Sequence, residues 1–235
     1  MKKILLIPFF IFFIITSNSQ VCGTPIPNNS LKKQVTPSTN KTSGASSPIC
    51  VNVYFHIVRE TNGSNAFVPN DVDDILNNLN EVFNPHGIFL NNSGTGFINN
   101  SGFVNIDDDN EANNLATINV IPDAINYYIV ETLWNTPTGT VTGTALSIPS
   151  KALVIRNSRT LLETSPHELG HCLNLYHTFE TAFGVEALNG SNCSSAGDLI
   201  CDTPADSNQG PVGGFNPDLT NIMSYYPSRD HFTDD

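Results

Sequence analysis

The stretch His167-Glu-Leu-Gly-His-Cys-Leu-Asn-Leu-Tyr-His177 restricts what this chain can fold into more than any other part of it. His167 and His171 are four residues apart, so a helix through them sets both imidazoles on one face, one turn from each other. Glu168 then lies on the neighbouring edge. His177 follows His171 by six residues, and a straight helix cannot bring it to the same point. The chain must leave the helix and turn back, and Asn174 stands where that reversal belongs. Glycine usually fills such a left-handed position, and asparagine is the next best residue for it. Three converging imidazoles are the ligand set of a zinc ion with a fourth position open to water. A carboxylate beside them, not used as a ligand, is placed to act as the general base.

A bare His-Glu-x-x-His also arises by chance on surface helices. Here, three of the six histidines in the chain fall inside the one stretch. Downstream, Asn221-Ile-Met-Ser-Tyr225 supplies a methionine followed two residues later by a tyrosine. Together the two segments resemble the extended pattern of the metzincins, a three-histidine zinc helix followed by a Met-turn.

The rest of the chain bounds the setting. Lys2 and Lys3 precede an apolar run from Ile4 to Ile15 and then small polar residues, which reads as a secretory signal peptide over residues 1–19. The run is too short for a comfortable membrane span. A retained signal anchor is the alternative reading. Val21 before Cys22 fits a lipoprotein cleavage site poorly, so no lipid anchor is expected. A net charge of −12 argues against nucleic acid or an anionic membrane as partner. The five cysteines are Cys22, Cys50, Cys172, Cys193 and Cys201, and an odd count leaves at least one thiol unpaired in a monomer.

Residues 20–47 are rich in Pro, Ser, Thr, Asn and Lys and carry no helical or alternating pattern, so they read as a propeptide and linker. Residues 48–235 suffice for one domain with a full core. In it, Cys50 to Val58 reads as a strand. Val72, Ile75, Leu76, Leu79, Val82 and Phe83 recur at helical spacing, with Asn70 as a cap. Ile88 to Leu90 begins another strand, and residues 91–114 are expected to be loop with one short strand near 102–106. Asp107-Asp-Asp-Asn-Glu111 reads as a solvated acidic loop rather than a calcium site. Ile125 to Val130 is a buried strand, and Gly143 to Ile148 with Ala152 to Ile155 form a strand or hairpin. Pro166 is awkward beside His167. Either the helix starts there with Ser165 as its cap, or a longer helix from about Arg159 kinks. The capping-box spacing of Thr160 and Glu163 favours the second. This order of elements implies an α/β sheet whose last helix carries the catalytic residues.

Within the metzincins the chain resembles the pappalysin (cytophagalysin) family. The likeness rests on His167 to Phe179, on Gly197-Asp-Leu-Ile-Cys-Asp-Thr-Pro204 and on Asn221 to Tyr225. It implies an α/β (α+β) metzincin-like fold: a twisted, mostly parallel sheet with two long helices, a zinc cleft, and an irregular lower subdomain with the Met-turn. It implies a secreted, monomeric zinc endopeptidase acting on extended peptide or protein substrates. His167, His171 and His177 would hold zinc, Glu168 would be the general base, Met223 the floor beneath the metal, and Tyr225 an aid to the transition state. The strand around Gly143–Ser147 would present a free edge to the substrate backbone. Similar proteins bind calcium between zinc helix and Met-turn, where Asp198, Asp202, Thr203 and Asp206 offer hard oxygen ligands. A polar loop closed by Asx turns competes with that reading. Cys172, Cys193 and Cys201 surround the same loop, so a disulfide tying it to the zinc helix is expected. Cys22-Gly23 resembles the cysteine switch of some metzincin propeptides, a thiolate held on zinc. A disulfide with Cys50 is the competing fate. Similar proteins continue in a last helix that Thr233 would cap, so the end at Asp235 reads as truncated or unusually short. Two other classes remain: an inert zinc-containing binding or adhesion module, which the presence of Glu168 disfavours, and a zinc amidase, which the third histidine and Met-turn disfavour.

Overall fold

The structure, a computed structural model, describes residues 20–25, 47–65 and 71–234. The signal peptide, most of the linker and the proposed cap Asn70 lie outside the described residues. The strands are β1 (Gln20–Cys22), β2 (Ile49–Arg59), β3 (Ile88–Asn99), β4 (Ile125–Val130), β5 (Asn135–Thr136), β6 (Gly139–Ala145) and β7 (Ala152–Arg156). The helices are α1 (Asp71–Phe83), α2 (Asp109–Leu115) and α3 (Thr164–Cys172). One sheet runs β1-β6-β7-β4-β2-β3, with β5 paired to β6. Among the described strands, only the β5–β6 and β6–β7 pairings are antiparallel.

Side-chain alternation divides the core between the two faces of this sheet. Val53, Phe55, Ile57, Tyr127, Ile129, Leu153 and Ile155 face α1 and α3, meeting Val72, Ile75, Leu79, Phe83 and Leu169. Val58, Tyr128, Val130 and Val154 face the other way, toward α2 and Ile106. Strands buried on both faces need helices on both, as parallel sheets do. Tyr127 joins its strand to the zinc helix through a 2.7 Å hydrogen bond with Ser165.

Four expectations are corrected here. Residues 91–99 are strand, not loop, because β3 pairs with β2 along its whole length. Backbone pairing at an exposed sheet edge leaves no hydrophobic alternation to read. The acidic run 107–111 starts a helix. Asp108 accepts from the Glu111 N–H, Glu111 accepts from the Asp107 N–H, and both carboxylates sit at the favourable helix end. The zinc helix is nine residues and starts at Thr164, with a 3-10 turn over Asn157–Arg159 before it, so only one of the two helices is long. Its first intrahelical bond is His167 N to Glu163 O. Pro166 therefore falls in the first turn, where no N–H is required. Thr160 gives its hydroxyl to Asn157 O instead of capping.

The fourth correction concerns the sheet edge. Residues 141–145 of β6 are buried, and β1 runs parallel along them, pairing Gln20, Val21 and Cys22 with Thr140, Val141 and Gly143. The leader segment, which carries no readable strand pattern, occupies the edge expected to be free. Three residues held by main-chain bonds leave no period in the sequence.

Candidate metal centre

α3 ends as the reversal requires. Asn174 has φ +79°. The N–H of Leu175 bonds Gly170 O, and that of Asn174 bonds His171 O, the paired pattern of a left-handed helix stop. The turn also places Leu175 O 2.8 Å from His171 Nδ1. Ile222 O lies 2.7 Å from His167 Nδ1. Each carbonyl accepts a hydrogen bond from Nδ1–H, which leaves Nε2 unprotonated and able to act as a ligand atom. The Nε2 atoms of His167 and His177 each lie 3.2 Å from that of His171. The edge of a tetrahedron around zinc is about 3.3 Å for Zn–N bonds of about 2.0–2.1 Å. Burial and the neighbouring rings hold His167 and His177 well below the ordinary imidazole range, and burial brings His171 down to about 4. All three are neutral near pH 7, as metal ligation requires.

Glu168 is fully buried. Its Oε2 accepts from Ala145 N at 2.9 Å and from Thr24 Oγ1 at 2.8 Å. Burial pushes its pKa up to about 7, and the bonds from Thr24, Cys22 and Ala145 restrain that rise. Glycine at 143 permits this placement, since a Cβ there would lie 2.7 Å from Glu168 Cγ and 2.7 Å from Ile155 Cδ1.

Cys22 Sγ stands 3.4 Å from Glu168 Oε2 and 3.6 Å from His171 Nε2. With the three histidines it forms one group whose ligand atoms all lie within 4.8 Å of one another. Burial, then the Glu168 carboxylate, pushes the Cys22 thiol well up. It is therefore a neutral S–H unless a cation sits among these atoms. Three imidazoles and a thiol at this spacing fit zinc.

Met223 packs its sulfur over Gly170, and its N–H bonds Asn221 Oδ1 at 2.8 Å. Tyr225 lies with its ring centroid 4.9 Å from that of His177 and 5.9 Å from that of His167. Burial, then Cys22 and Glu168, raise its phenol pKa. Arg229 was legible only as one charge of a mixed pair. It turns inward, donating to Ser224 O at 2.5 Å and to Ile222 O at 3.2 Å, with Glu163 at 3.6 Å. Asp230 faces out and pairs with His231. A cleft of about 510 Å³ beside Glu168 is lined by Cys22, Thr142, Glu163, Tyr225 and Arg229 among others.

The expected calcium ligands do not converge as one set of carboxylates among the described residues. Asp206 accepts from Thr178 Oγ1, Tyr226 OH and Asn208 N, and Thr203 Oγ1 meets Thr233 Oγ1. Asp198 stands instead with Asp202 and with Glu186, which no sequence motif marked. Burial first, then the carboxylates of Glu186 and Asp202, bring Asp198 up to about 7. Both Glu186 oxygens are buried with no hydrogen-bond partner. The disulfide joins Cys193 to Cys201. Cys172 is a buried thiol, so the loop is closed on itself and not tied to the zinc helix. Cys22 and Cys50 are both free thiols.

A family model described as pregnancy-associated plasma protein-A matches residues 151–235. An extracellular metalloprotease of Colletotrichum graminicola is 27% identical over 90% of this chain and 85% of its own length. One of Verticillium alfalfae is 29% identical over 82% of this chain and 73% of its own. A solved structure of mirolysin in complex with a small compound superposes with a TM-score of 0.59 at 19% identity, covering 80% of this chain and 89% of that one. That last likeness is one of fold.

Proposed function

We propose, from the premise that this chain belongs to the pregnancy-associated plasma protein-A family of zinc metalloendopeptidases, that it is exported as a latent precursor and cleaves extended peptide substrates with Glu168 as general base. One observation carries the reading. Three neutral Nε2 atoms converge, two of them oriented by backbone carbonyls, beside a fully buried carboxylate. His167, His171 and His177 would hold zinc, which when bound would supply Lewis acidity toward the scissile carbonyl and toward a water whose pKa it would lower to about 7. Glu168 accepts the proton of the attacking water and returns it to the leaving amine. Tyr225 offers its phenol, protonated at any working pH, to the developing oxyanion. Met223 supports the histidines from below. The edge of β6 pairs with substrate backbone once β1 has left it.

Latency follows from Cys22. Its thiolate would serve as a zinc ligand in place of water, and cleavage in the linker, for which Lys41 offers a site, would release it. Export rests on the signal-like residues 1–19 and on relatives named extracellular.

Casein digestion by the processed, zinc-loaded protein tests the function. Cleavage that is lost to a chelator and regained with zinc supports the reading. No cleavage despite full zinc occupancy would favour an inert binding module, and turnover confined to non-peptide amides would favour an amidase.

We further infer a structural calcium ion near Glu186 and Asp198, supported by two buried Glu186 oxygens with no hydrogen-bond partner beside the buried Asp198 carboxyl. A ligand held only by the folded state stabilises it by mass action. Calcium at a hundredfold excess over its Kd is expected to raise the melting midpoint of the zinc-loaded protein by about 5–10 °C. A midpoint indifferent to calcium overturns the assignment.

A further inference from the structure

The segment that carries Cys22 makes a second, chemically different contact with the catalytic machinery. Thr24 is buried. Its hydroxyl donates to Glu168 Oε2 at 2.8 Å and accepts from Ala145 N at 2.9 Å. The same Ala145 N–H also reaches Glu168 Oε2, at 2.9 Å. The three atoms thus close a triangle in which the hydroxyl is donor and acceptor at once. An aliphatic side chain can do neither, and an ammonium can only donate.

We propose that Ala145 N–H and Glu168 Oε2 form a hydroxyl-binding subsite, and that Thr24 fills it as a second latch, holding the general base independently of the Cys22 thiol. This rests on the reading of Glu168 as base. The thiol reaches the metal position and, at 3.4 Å, the same Glu168 oxygen. The hydroxyl holds that oxygen more closely, at 2.8 Å, and also accepts from Ala145 N, a contact the thiol does not make.

Local geometry fixes the spacing between the two. Gly23 N donates to Gly143 O at 2.8 Å, and Thr24 N donates to Cys22 Sγ at 3.3 Å. Residue 23 must be glycine for the segment to sit so close. A Cβ there would lie 2.9 Å from Val141 Cγ1, 3.0 Å from Thr144 Cβ and 3.0 Å from Trp134 Cζ2. The ligand class is therefore a peptide with a metal-binding side chain, then glycine, then a hydroxyl residue.

Trp134 is the only tryptophan in the chain, so its emission reports docking of this segment without reference to activity. The test titrates processed, zinc-loaded protein with a synthetic peptide of residues 20–25 and with its variants. Thr24→Val is expected to weaken binding about tenfold or more, as loss of a hydrogen bond to a charged group does. Thr24→Ser should retain most of the affinity, and Gly23→Ala should lose it. Thr24→Val should still weaken a peptide that already carries Cys22→Ser. Equal affinity of the Val and Thr peptides, or no binding by the parent peptide, overturns the latch. In the full unprocessed chain, Thr24→Val should leak activity that disappears in Thr24→Ser, and latency unchanged in the Val variant likewise overturns it. Failure of processed protein to cleave casein would instead sink the proposed protease function, and the fluorescence titration would still decide the latch.

Discussion

Glu168→Gln is expected to lower casein turnover by about 10²–10⁴-fold while zinc content stays at one ion per chain. The amide keeps the size of the carboxylate and can still accept from Ala145 N, so the packing around position 168 is preserved. It cannot take a proton from water at neutral pH. The three ligand imidazoles are oriented by Ile222 O, Leu175 O and the turn at Asn174, none of which involves Glu168. Elemental analysis with single-turnover peptide hydrolysis separates the two effects. Turnover close to the parent's would remove Glu168 from the mechanism. Zinc loss in this variant would mean that the carboxylate serves the metal site and not the proton transfer.

Cys22→Ser is expected to raise the activity of the unprocessed chain about tenfold or more, because a hydroxyl is a far poorer zinc ligand than a thiolate. After the segment is cut away, the variant and the parent should be indistinguishable, since residue 22 leaves with it. A thiol reagent offers an independent check. In the native zinc-loaded precursor the exposed Cys50 should label at once, and Cys22 should label only after processing. A precursor whose Cys22 reacts as fast as Cys50, or a Cys22→Ser chain as silent as the parent, would show that the thiol is not on the metal.

The convergence of three imidazoles was legible because it follows from covalent spacing. Four residues on a helix and a turn at Asn174 leave little freedom for His167, His171 and His177. The parallel sheet was legible where strands are buried on both faces, as with Ile125 to Val130. Elements held by main-chain bonds at exposed edges were not. The middle of β3, residues 91–96, has no apolar side chain on either face, and β1 is three residues long. The capping-box spacing of Thr160 and Glu163 predicts a longer helix than the nine residues of α3, and only tertiary structure decides whether such a spacing is used. Thr24 and Arg229 were missed for a related reason. Each acts through partners more than sixty residues away or on backbone atoms, and no local pattern records such contacts. The Cys193–Cys201 pairing shows the same limit, since three neighbouring cysteines allow several bridges.

The parallel run of β1 along β6 has a colloidal consequence. β1 is the edge strand next to β6, pairing with it from Thr140 to Gly143 on the side away from β7, so β1 is what shields the outer edge of β6. Removing residues 20–25 uncovers a row of unpaired amide and carbonyl groups on a strand that is otherwise buried, the kind of edge on which a second chain can template. The molecule would then be most prone to self-association just when its cleft opens. Light scattering across a dilution series, before and after processing, should show that change in the activated form alone. The full chain has a net charge of −12, and residues 1–47 hold five lysines and no acidic residue, so the processed chain is more acidic still and carries a partial defence: like-charged chains repel before their edges can meet.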